Sequence, residues 1–286
     1  MPAMSLLDGL FSIAPVRKAL WRLWYPFLTR RLRDEDVLFL NYAFQTDPAA
    51  DLVLDPADEP HRACIQLYHH VVAQAPIHDG EVLEVSCGHG GGASWITRTF
   101  RPRRYTAIDL NPAAIRFCQQ RHPIPGLSFR TGDACHLPFP DRSCDTVINV
   151  EASHCYPDFP AFLAEVTRVL RPGGHFVYAD FRFREQLPAW EHALATTPLT
   201  MVHSRDISDE VLRGMSLNAP RSERLVTRCL PRLLHAVGRD FAGIPGARVH
   251  EALRRGEMTY RSYCFRREAS ATRASPHTAA NLPSHP

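Results

Sequence analysis

Several features that would define a large class of proteins are missing from this sequence. No apolar run approaches the about 18 residues of a membrane-spanning helix, and the N-terminus lacks the order of basic, apolar and small residues of a secretory signal. The eight cysteines include no C-x-x-C pair, which favours reduced, structural thiols in a cytoplasmic protein. No His, Cys and Asp cluster has metal-site spacing, and a formal net charge of +3 is too small to indicate a nucleic-acid partner.

Acidic residues are also missing from residues 14–33, where aromatic and basic side chains are interspersed and Lys18 is the only lysine of the chain. One interpretation is an interfacial helix that rests on an anionic membrane, with its rings at headgroup depth. The other is a cap packed on the core, which Pro26 favours because it interrupts a long helix. The aromatic and basic positions are Arg17, Lys18, Trp21, Arg22, Trp24, Tyr25, Phe27, Arg30, Arg31 and Arg33.

An apolar strand followed by a glycine-rich turn is the most informative feature that is present. Residues 82–85 are apolar except for Glu84, and the turn Ser86-Cys87-Gly88-His89-Gly90-Gly91-Gly92 follows directly. Asp109 lies 21 residues after Gly88, at the end of a second apolar run. A glycine turn between a strand and a helix, with an acid about 20 residues later, is typical of the nucleoside-binding half of a doubly wound fold.

The sequence of the turn differs from the G-x-G-x-x-G motif of enzymes that bind NAD. Glu84 places a carboxylate just before it, where a pyrophosphate would be repelled and an ammonium group attracted. A nucleoside that carries an amino acid therefore fits better, and S-adenosylmethionine (SAM) is such a ligand. We expect Asp109 to bind the ribose diol. The segment Gly132-Asp133-Ala134 resembles the loop after the third strand of SAM methyltransferases, which implies that Asp133 accepts a hydrogen bond from the adenine amino group. The residues expected at this cofactor site are Glu84, Ser86, Gly88, Gly90, Asp109, Leu110, Asp133, Ala134 and Asn149.

Strand-like and helix-like segments continue to alternate after the turn. Residues 144–150 and 175–180 have the pattern of buried strands, and the helix-like residues 163–170 end at Arg171-Pro172-Gly173-Gly174. This alternation predicts an α/β fold with a doubly wound, mostly parallel sheet, Rossmann-like as in the class I SAM methyltransferases. The expected division is an N-terminal helical cap (1–75), a SAM-binding core (76–183), a helical lid (184–250), closing strands (251–267) and a disordered tail (268–286).

Three polar residues lie at the predicted ends of the fourth and fifth strands, the edge where ligands of such sheets bind. Methyl transfer needs mainly alignment, but an alcohol acceptor must also lose a proton, which histidine can accept near neutral pH. We therefore expect His154 to be the general base. Glu151 is expected to orient the histidine or the acceptor hydroxyl, and Asp180 is a candidate for either task.

The sequence resembles the phthiotriolone and phenolphthiotriolone dimycocerosate methyltransferases over residues 21–265. This resemblance implies SAM-dependent O-methylation of a secondary hydroxyl on a long-chain lipid of the cell envelope. The wider superfamily usually has glycine where Ser86 stands, so we expect Ser86 to keep a negative φ. His89, in the same turn, is expected to point outward. The segments that carry the resemblance are Trp21 to Pro26, Leu83 to Ser94, Asn149 to Pro157, Leu170 to Gly174, and Tyr260 to Phe265.

The acceptor stays open at this point, because residues 1–75 and 184–250 carry no readable code for it. A fatty-acyl hydroxyl, a glycolipid sugar hydroxyl and a carbon acceptor are alternatives, as is a SAM-binding protein without catalysis. The spelling of the glycine turn disfavours an NAD-dependent oxidoreductase. We expect a hydrophobic lipid partner, no nucleic acid, no metal, and a cytoplasmic protein in peripheral contact with the inner face of the membrane through residues 14–33. The sequence gives no oligomeric state.

Overall fold

The computed structural model describes residues 26–32, 35, 37–46 and 52–269. The strands of its sheet are β1 (Glu81–Val85), β2 (Arg104–Asp109), β3 (Leu127–Thr131), β4 (Cys144–Val150), β5 (Leu170–Phe183), β6 (Thr200–Asp206) and β7 (Met258–Arg266). Their order is β3-β2-β1-β4-β5-β7-β6. The first five strands pair in parallel, and β7 runs antiparallel to β5 and β6. The predicted mostly parallel α/β sheet is confirmed.

Helices cover both faces of the sheet, as a doubly wound fold requires. On one face Ile65 of α2 and Ile96 of α3 are fully buried in the core, and on the other face Phe162 of α5 and Trp190 of α6 are buried. The helices are α1 (26–32), α2 (Arg62–Val72), α3 (Gly91–Phe100), α4 (Pro112–Arg121), α5 (Phe159–Val169), α6 (Leu187–Thr196), α7 (Ser208–Cys229), α8 (His235–Phe241) and α9 (Arg248–Arg254).

Side-chain caps explain where two of the core helices begin. The side chain of Asn111 accepts from the backbone N–H of Ala113 at the start of α4, and Asp158 accepts from Ala161 at the start of α5. Both helices carry proline in their first turn, where a missing N–H costs nothing because that position has no partner within the helix.

The described part of the N-terminal aromatic stretch packs against the helical lid. Leu28 and Leu32 of α1 are buried together with Val226 and Leu230 at the end of α7. The described residues 26–32 thus pack on the protein, as the second of the two interpretations of residues 14–33 expects for this part of the stretch. Residues 14–25 and 33 lie outside the described residues.

Residues 184–250 are not wholly helical, contrary to the prediction. They include β6, which pairs with β7 and forms an exposed edge of the sheet. Only one strand, β7, lies within 251–267, because residues up to Arg254 belong to α9. We did not predict β6 from the sequence, because all its side chains are exposed and it therefore lacks the apolar pattern of a strand. The predicted tail lies outside the described residues from residue 270 onward.

None of the described helices combines the length and the apolar composition that crossing a membrane requires.

Candidate active site

The carboxyl ends of β1, β2 and β4, together with the neighbouring part of β5, bring most of the predicted site residues to one edge of the sheet. In a parallel sheet this edge is where ligands bind, because the loops there diverge and leave a crevice. The predicted residues placed at or next to these ends are Ser86, Gly88, Gly90, Asp109, Leu110, Asn149, Glu151, His154 and Asp180.

Asp109 ties the end of β2 to the glycine turn. Its Oδ2 accepts from the Gly88 backbone N–H at 3.0 Å, and its Oδ1 accepts from the Asn111 N–H at 2.8 Å. Burial raises the pKa of Asp109 to about 6, although both hydrogen bonds oppose that shift. Each carboxylate oxygen can accept a second hydrogen bond, so the carboxylate keeps capacity for the two hydroxyls of a ribose.

The glycine turn requires glycine for both conformation and packing. Gly88 and Gly90 have φ values of +56° and +76°, in the left-handed region that glycine adopts without strain. A Cβ on Gly90 would lie only 2.8 Å from the Phe129 ring. The turn is therefore held close to β3 as well as to β2.

Ser86 has a φ of +64°, so the predicted negative φ was wrong. The chain must leave β1 through a left-handed residue to begin the turn, and a non-glycine residue there costs about 1–2 kcal/mol. A hydrogen-bond chain fixes the serine: its Oγ lies 2.7 Å from Tyr156 Oη, which accepts from Asn149 Nδ2 at 2.8 Å. Asn149 Nδ2 also donates to the Val85 carbonyl at 2.9 Å.

Glu84 lies inside the core and not in the turn. Tyr68 donates to its Oε1 at 3.0 Å and Tyr105 donates to its Oε2 at 2.8 Å. Burial raises the pKa of Glu84 to about 7, against the effect of the two tyrosines. The described contacts thus make Glu84 a link between β1, β2 and α2, while its predicted contact with an ammonium group stays a prediction.

His89 does not point outward, and that prediction was also wrong. Its side chain is buried, with 1% of its surface exposed, because α1 and the segment after it fold over the turn. Nδ1 lies 2.7 Å from the Val37 carbonyl oxygen and Nε2 lies 3.0 Å from Thr29 Oγ1. A carbonyl only accepts, so Nδ1 carries a proton and Nε2 accepts from Thr29 in the neutral ring. Burial lowers the pKa of His89 and favours that neutral form.

The predicted adenine contacts lie at the exposed rim of this edge. Asp133 is exposed, and its Oδ1 accepts from the Cys135 N–H at 2.9 Å. Ala134 beside it is buried, whereas Leu110 exposes 51% of its surface. The other oxygen of Asp133 lies 3.8 Å from His136 Nδ1 at the exposed surface. The predicted contact of Asp133 with adenine and the place of Leu110 at the cofactor site stay predictions.

His154 and Asp180 form a buried pair between β4 and β5. His154 lies in a short 3₁₀ helix (Ser153–Cys155) that follows β4. Its Nδ1 lies 2.9 Å from Asp180 Oδ1, and its ring stacks on Phe181 at 4.2 Å. The bond to Asp180 uses Nδ1, a further side-chain hydrogen bond joins His154 to Cys155, and the side chain keeps 17% of its surface exposed. The arrangement suits a histidine whose orientation is fixed by an acid.

Charge explains the protonation state of this pair. Burial lowers the pKa of His154, but the interactions of its ring with Cys155 and Asp180 outweigh that effect and raise the pKa to about 10. Burial also opposes ionisation of Asp180, yet the positive charges of His154 and Arg182 hold its pKa well below its usual range. Asp180 is thus held as a carboxylate near neutral pH.

Glu151 does not orient His154 in this structure; Asp180 does. Glu151 Oε2 accepts from the Tyr42 backbone N–H at 2.8 Å and from the Tyr260 hydroxyl at 2.9 Å. Burial raises the pKa of Glu151 to about 8, partly offset by those contacts and by His154. Glu151 therefore attaches the N-terminal segment to β7, next to the His154 pair.

Several residues of the site were missed by the sequence reasoning. Arg182 has a guanidinium nitrogen 3.2 Å from Asp180 Oδ2, and Trp190 stacks on that guanidinium at 4.8 Å. Ser153 donates to the same carboxylate oxygen at 2.6 Å. The alternation of β5 places Asp180 and Arg182 on the same face of the strand, and this was the signal that could have identified the arginine.

Among the described residues, no group of three or more His, Cys, Asp or Glu side chains could hold a metal ion.

Comparisons with known proteins agree with this geometry. The model of the methyltransferase domain family matches residues 83–178. A phthiotriol/phenolphthiotriol dimycocerosates methyltransferase of Mycobacterium tuberculosis (strain ATCC 25618 / H37Rv) is 52% identical over 251 residues, which are 88% of this chain and 93% of the relative. A fatty-acid O-methyltransferase of Mycolicibacterium smegmatis (strain ATCC 700084 / mc(2)155) is 51% identical over 244 residues, 85% of this chain and 88% of the relative.

A solved structure supports the fold independently of sequence. A geranyl diphosphate methyltransferase in complex with SAM superposes with a TM-score of 0.60 at 19% identity, covering 81% of this chain and 99% of that protein. At this low identity the likeness concerns the arrangement of the sheet and its helices.

Proposed function

Because this chain belongs to the family of the phthiotriol/phenolphthiotriol dimycocerosates methyltransferases, SAM-dependent enzymes of lipid metabolism, we propose that it methylates a hydroxyl oxygen of a long-chain lipid. The predicted family, enzyme class and SAM cofactor are confirmed by the relatives and the domain match. What remains a proposal is the acceptor atom, the lipid and the base.

The residues at the carboxyl edge fit the cofactor. Asn149 Oδ1 is a buried acceptor with no hydrogen-bond partner among the described residues, as expected where a ligand donor is to bind. Asp109 offers free acceptor capacity, and Leu110 and Asp133 flank the rim. When bound, SAM supplies a methyl group on a positively charged sulfur. Glu84, Ser86, Gly88, Gly90 and Ala134 complete the proposed cofactor site.

The pairing of His154 with Asp180 is the observation that carries the proposal. Asp180 holds the proton of Nδ1, so Nε2 in the neutral ring can accept the proton of an acceptor hydroxyl as its oxygen bonds to the methyl carbon. The imidazolium that results is stabilised by the Asp180 carboxylate. Phe181 packs on the ring face and limits access of water. Asp180 is a positioning residue, and Glu151 positions the segment around Tyr42 against the site.

A second candidate acceptor is the carboxylate of a fatty acid. A carboxylate needs no base, and the pKa of His154, raised to about 10 by Cys155 and Asp180 against the effect of burial, gives a cationic ring that would attract it. The related fatty-acid O-methyltransferase adds to this alternative.

A product test distinguishes the two acceptors. Purified protein is incubated with SAM and either a long-chain secondary alcohol or a fatty acid of matched chain length. We expect an ether that survives mild alkaline hydrolysis from the alcohol. An ester from the acid, with no ether from the alcohol, would replace the hydroxyl proposal by the carboxylate one.

Asp109→Ala is expected to weaken binding of S-adenosylhomocysteine about 10–100-fold, because hydrogen bonds to a charged group contribute about 1.5–3 kcal/mol. Calorimetric titration measures the change. Asp141→Ala, at an exposed carboxylate away from the edge, is the matched control. Equal affinity in the wild type and Asp109→Ala would remove Asp109 from the cofactor site.

We further propose peripheral membrane contact through residues 14–33 and the lid against which α1 packs. Leu233, beside the end of α7, exposes 94% of its surface next to Arg232. Apolar and basic side chains together favour an anionic lipid surface. We expect Leu233→Glu to reduce co-sedimentation with phosphatidylglycerol vesicles several-fold, whereas Val53→Glu, at another exposed apolar position, should not. Equal sedimentation of both variants would contradict this contact surface.

A further inference from the structure

We propose that the cavity between the N-terminal segment and helices α7 and α8 binds the hydrocarbon chain of the acceptor. This inference rests on the proposed function, because it assigns a place to the apolar part of the same lipid. From the sequence we expected acceptor choice to depend on residues 1–75 and 184–250, and the lining of this cavity comes from those two ranges.

The lining of the cavity is mainly apolar. Its volume is about 110 Å³, and residues of α1, the segment 37–43, α7 and α8 enclose it. Apolar cavities of about 150 Å³ stay dry and bind benzene. This cavity therefore has room for a short stretch of hydrocarbon, while the rest of a long chain extends beyond it. Its central apolar side chains are Leu28, Leu40, Tyr42, Met215, Leu225 and Phe241.

Two polar side chains of the lining donate hydrogen bonds within the protein, while Asn41 Oδ1 is a buried acceptor with no partner among the described residues. Asn41 Nδ2 donates to the Cys64 carbonyl at 3.2 Å, and Arg221 donates to the Pro60 carbonyl at 2.7 Å. These bonds hold α2, the turn before it and α7 around the cavity. Most of the side chains that line the cavity are apolar, so its composition favours a hydrocarbon chain.

The wall formed by Tyr42 joins the cavity to the proposed acceptor site. The Tyr42 N–H donates to Glu151 at 2.8 Å, and the Tyr42 ring stacks on Phe181 at 5.6 Å. Phe181 in turn stacks on His154 at 4.2 Å. Leu40, another wall residue, touches Gly88 of the glycine turn. A chain in this cavity thus lies two aromatic rings, Tyr42 and Phe181, from the base and beside the cofactor turn.

Ala242→Phe tests the proposal, because a phenyl ring is about the size of the ligand that such a cavity accepts. Calorimetry measures binding of a series of secondary alcohols of increasing chain length, independently of any methyl transfer. In the wild type we expect affinity to rise up to about fourfold for each methylene that becomes buried. In Ala242→Phe we expect at least a tenfold loss for long chains and little change for the shortest alcohol. Leu217→Phe, on an exposed face of α7, is the matched control.

A second variant, Leu225→Ala, keeps the proposal testable if Ala242→Phe does not fold. Leu225→Ala enlarges the cavity and is expected to raise the affinity for methyl-branched chains relative to linear ones. The cavity assignment would be overturned if the affinity of Ala242→Phe for the alcohols rose with chain length as in the wild type. If Ala242→Phe does not fold, the same conclusion would follow from a Leu225→Ala variant that prefers branched over linear chains no more than the wild type does. Chain-dependent binding without any methyl transfer by the wild type would instead refute the proposed function and leave the cavity assigned.

Discussion

His154→Ala is expected to lower kcat for methylation of a lipid hydroxyl by about 10²–10⁴-fold, the usual contribution of a general base. Cofactor binding should be unchanged, because the described contacts of His154 are to Asp180, Cys155 and Phe181 and not to the glycine turn. Single-turnover methyl transfer with saturating SAM measures the loss directly. His192→Ala, at an exposed histidine on α6, is the control variant. Retention of kcat in His154→Ala would exclude His154 as the base.

The pH dependence of kcat/KM gives a second readout of the same residue. A base must be deprotonated, and the interactions with Cys155 and Asp180 outweigh the effect of burial and raise the pKa of His154 to about 10. For a hydroxyl acceptor we therefore expect kcat/KM to rise as pH increases from about 7 toward about 10, by up to tenfold per unit. A bound cation near the ring would move the inflection to lower pH without reversing the slope. His154→Ala should lose this dependence.

A carboxylate acceptor would reverse the sign. The imidazolium would then attract the substrate, so kcat/KM should fall as pH passes the pKa of His154. His154→Ala would mainly raise KM and leave kcat close to the wild-type value, because no proton has to be removed. The His154→Ala variant alone can therefore distinguish the two proposed acceptors: a lower kcat indicates a hydroxyl, and a higher KM with kcat unchanged indicates a carboxylate.

The features that we predicted correctly depend on the order of short motifs along the chain. The glycine turn after β1, the acid ending β2 and the polar residues after β4 occur in a fixed sequence, and parallel pairing necessarily brings those strand ends to one edge. The fold class and the positions of Asp109 and His154 followed from this order. The exposed strand β6 lacked an apolar pattern and was missed.

The failed predictions concern contacts with partners that are distant in sequence. His89 is buried because Thr29 and Val37 reach it from a segment more than 50 residues earlier. Glu151 was expected to orient the histidine or the acceptor hydroxyl; its described hydrogen bonds go instead to Tyr42 and Tyr260, from opposite ends of the chain, and its role toward the acceptor stays a prediction. Ser86 adopts a positive φ because Tyr156 and the turn hold it there. Such contacts depend on how the cap folds onto the sheet, which local patterns do not encode.

Asp180→Ala is expected to destabilise the fold by about 3–5 kcal/mol, the usual cost of removing one partner of a buried ion pair. Asp180 is fully buried, and its loss would leave the guanidinium of Arg182 without its carboxylate, enclosed by aromatic rings. Urea unfolding at constant m-value measures the difference. Asp141→Ala, which removes an exposed ion pair, should cost no more than about 1 kcal/mol.

The difference in unfolding free energy between the wild type and Asp180→Ala should depend on pH, because Asp180 contributes to it through its charge. Burial opposes ionisation, but His154 and Arg182 hold the pKa of Asp180 well below its usual range. The stabilisation by the carboxylate is therefore fully present above the pKa of the unfolded chain, about 3.9, and is lost as pH falls toward the lower folded value. We expect the stability difference between the wild type and Asp180→Ala to be constant near neutral pH and to shrink below about pH 4. A difference that does not change with acid would mean that packing, and not the charge of Asp180, holds β5 against the 3₁₀ helix of His154.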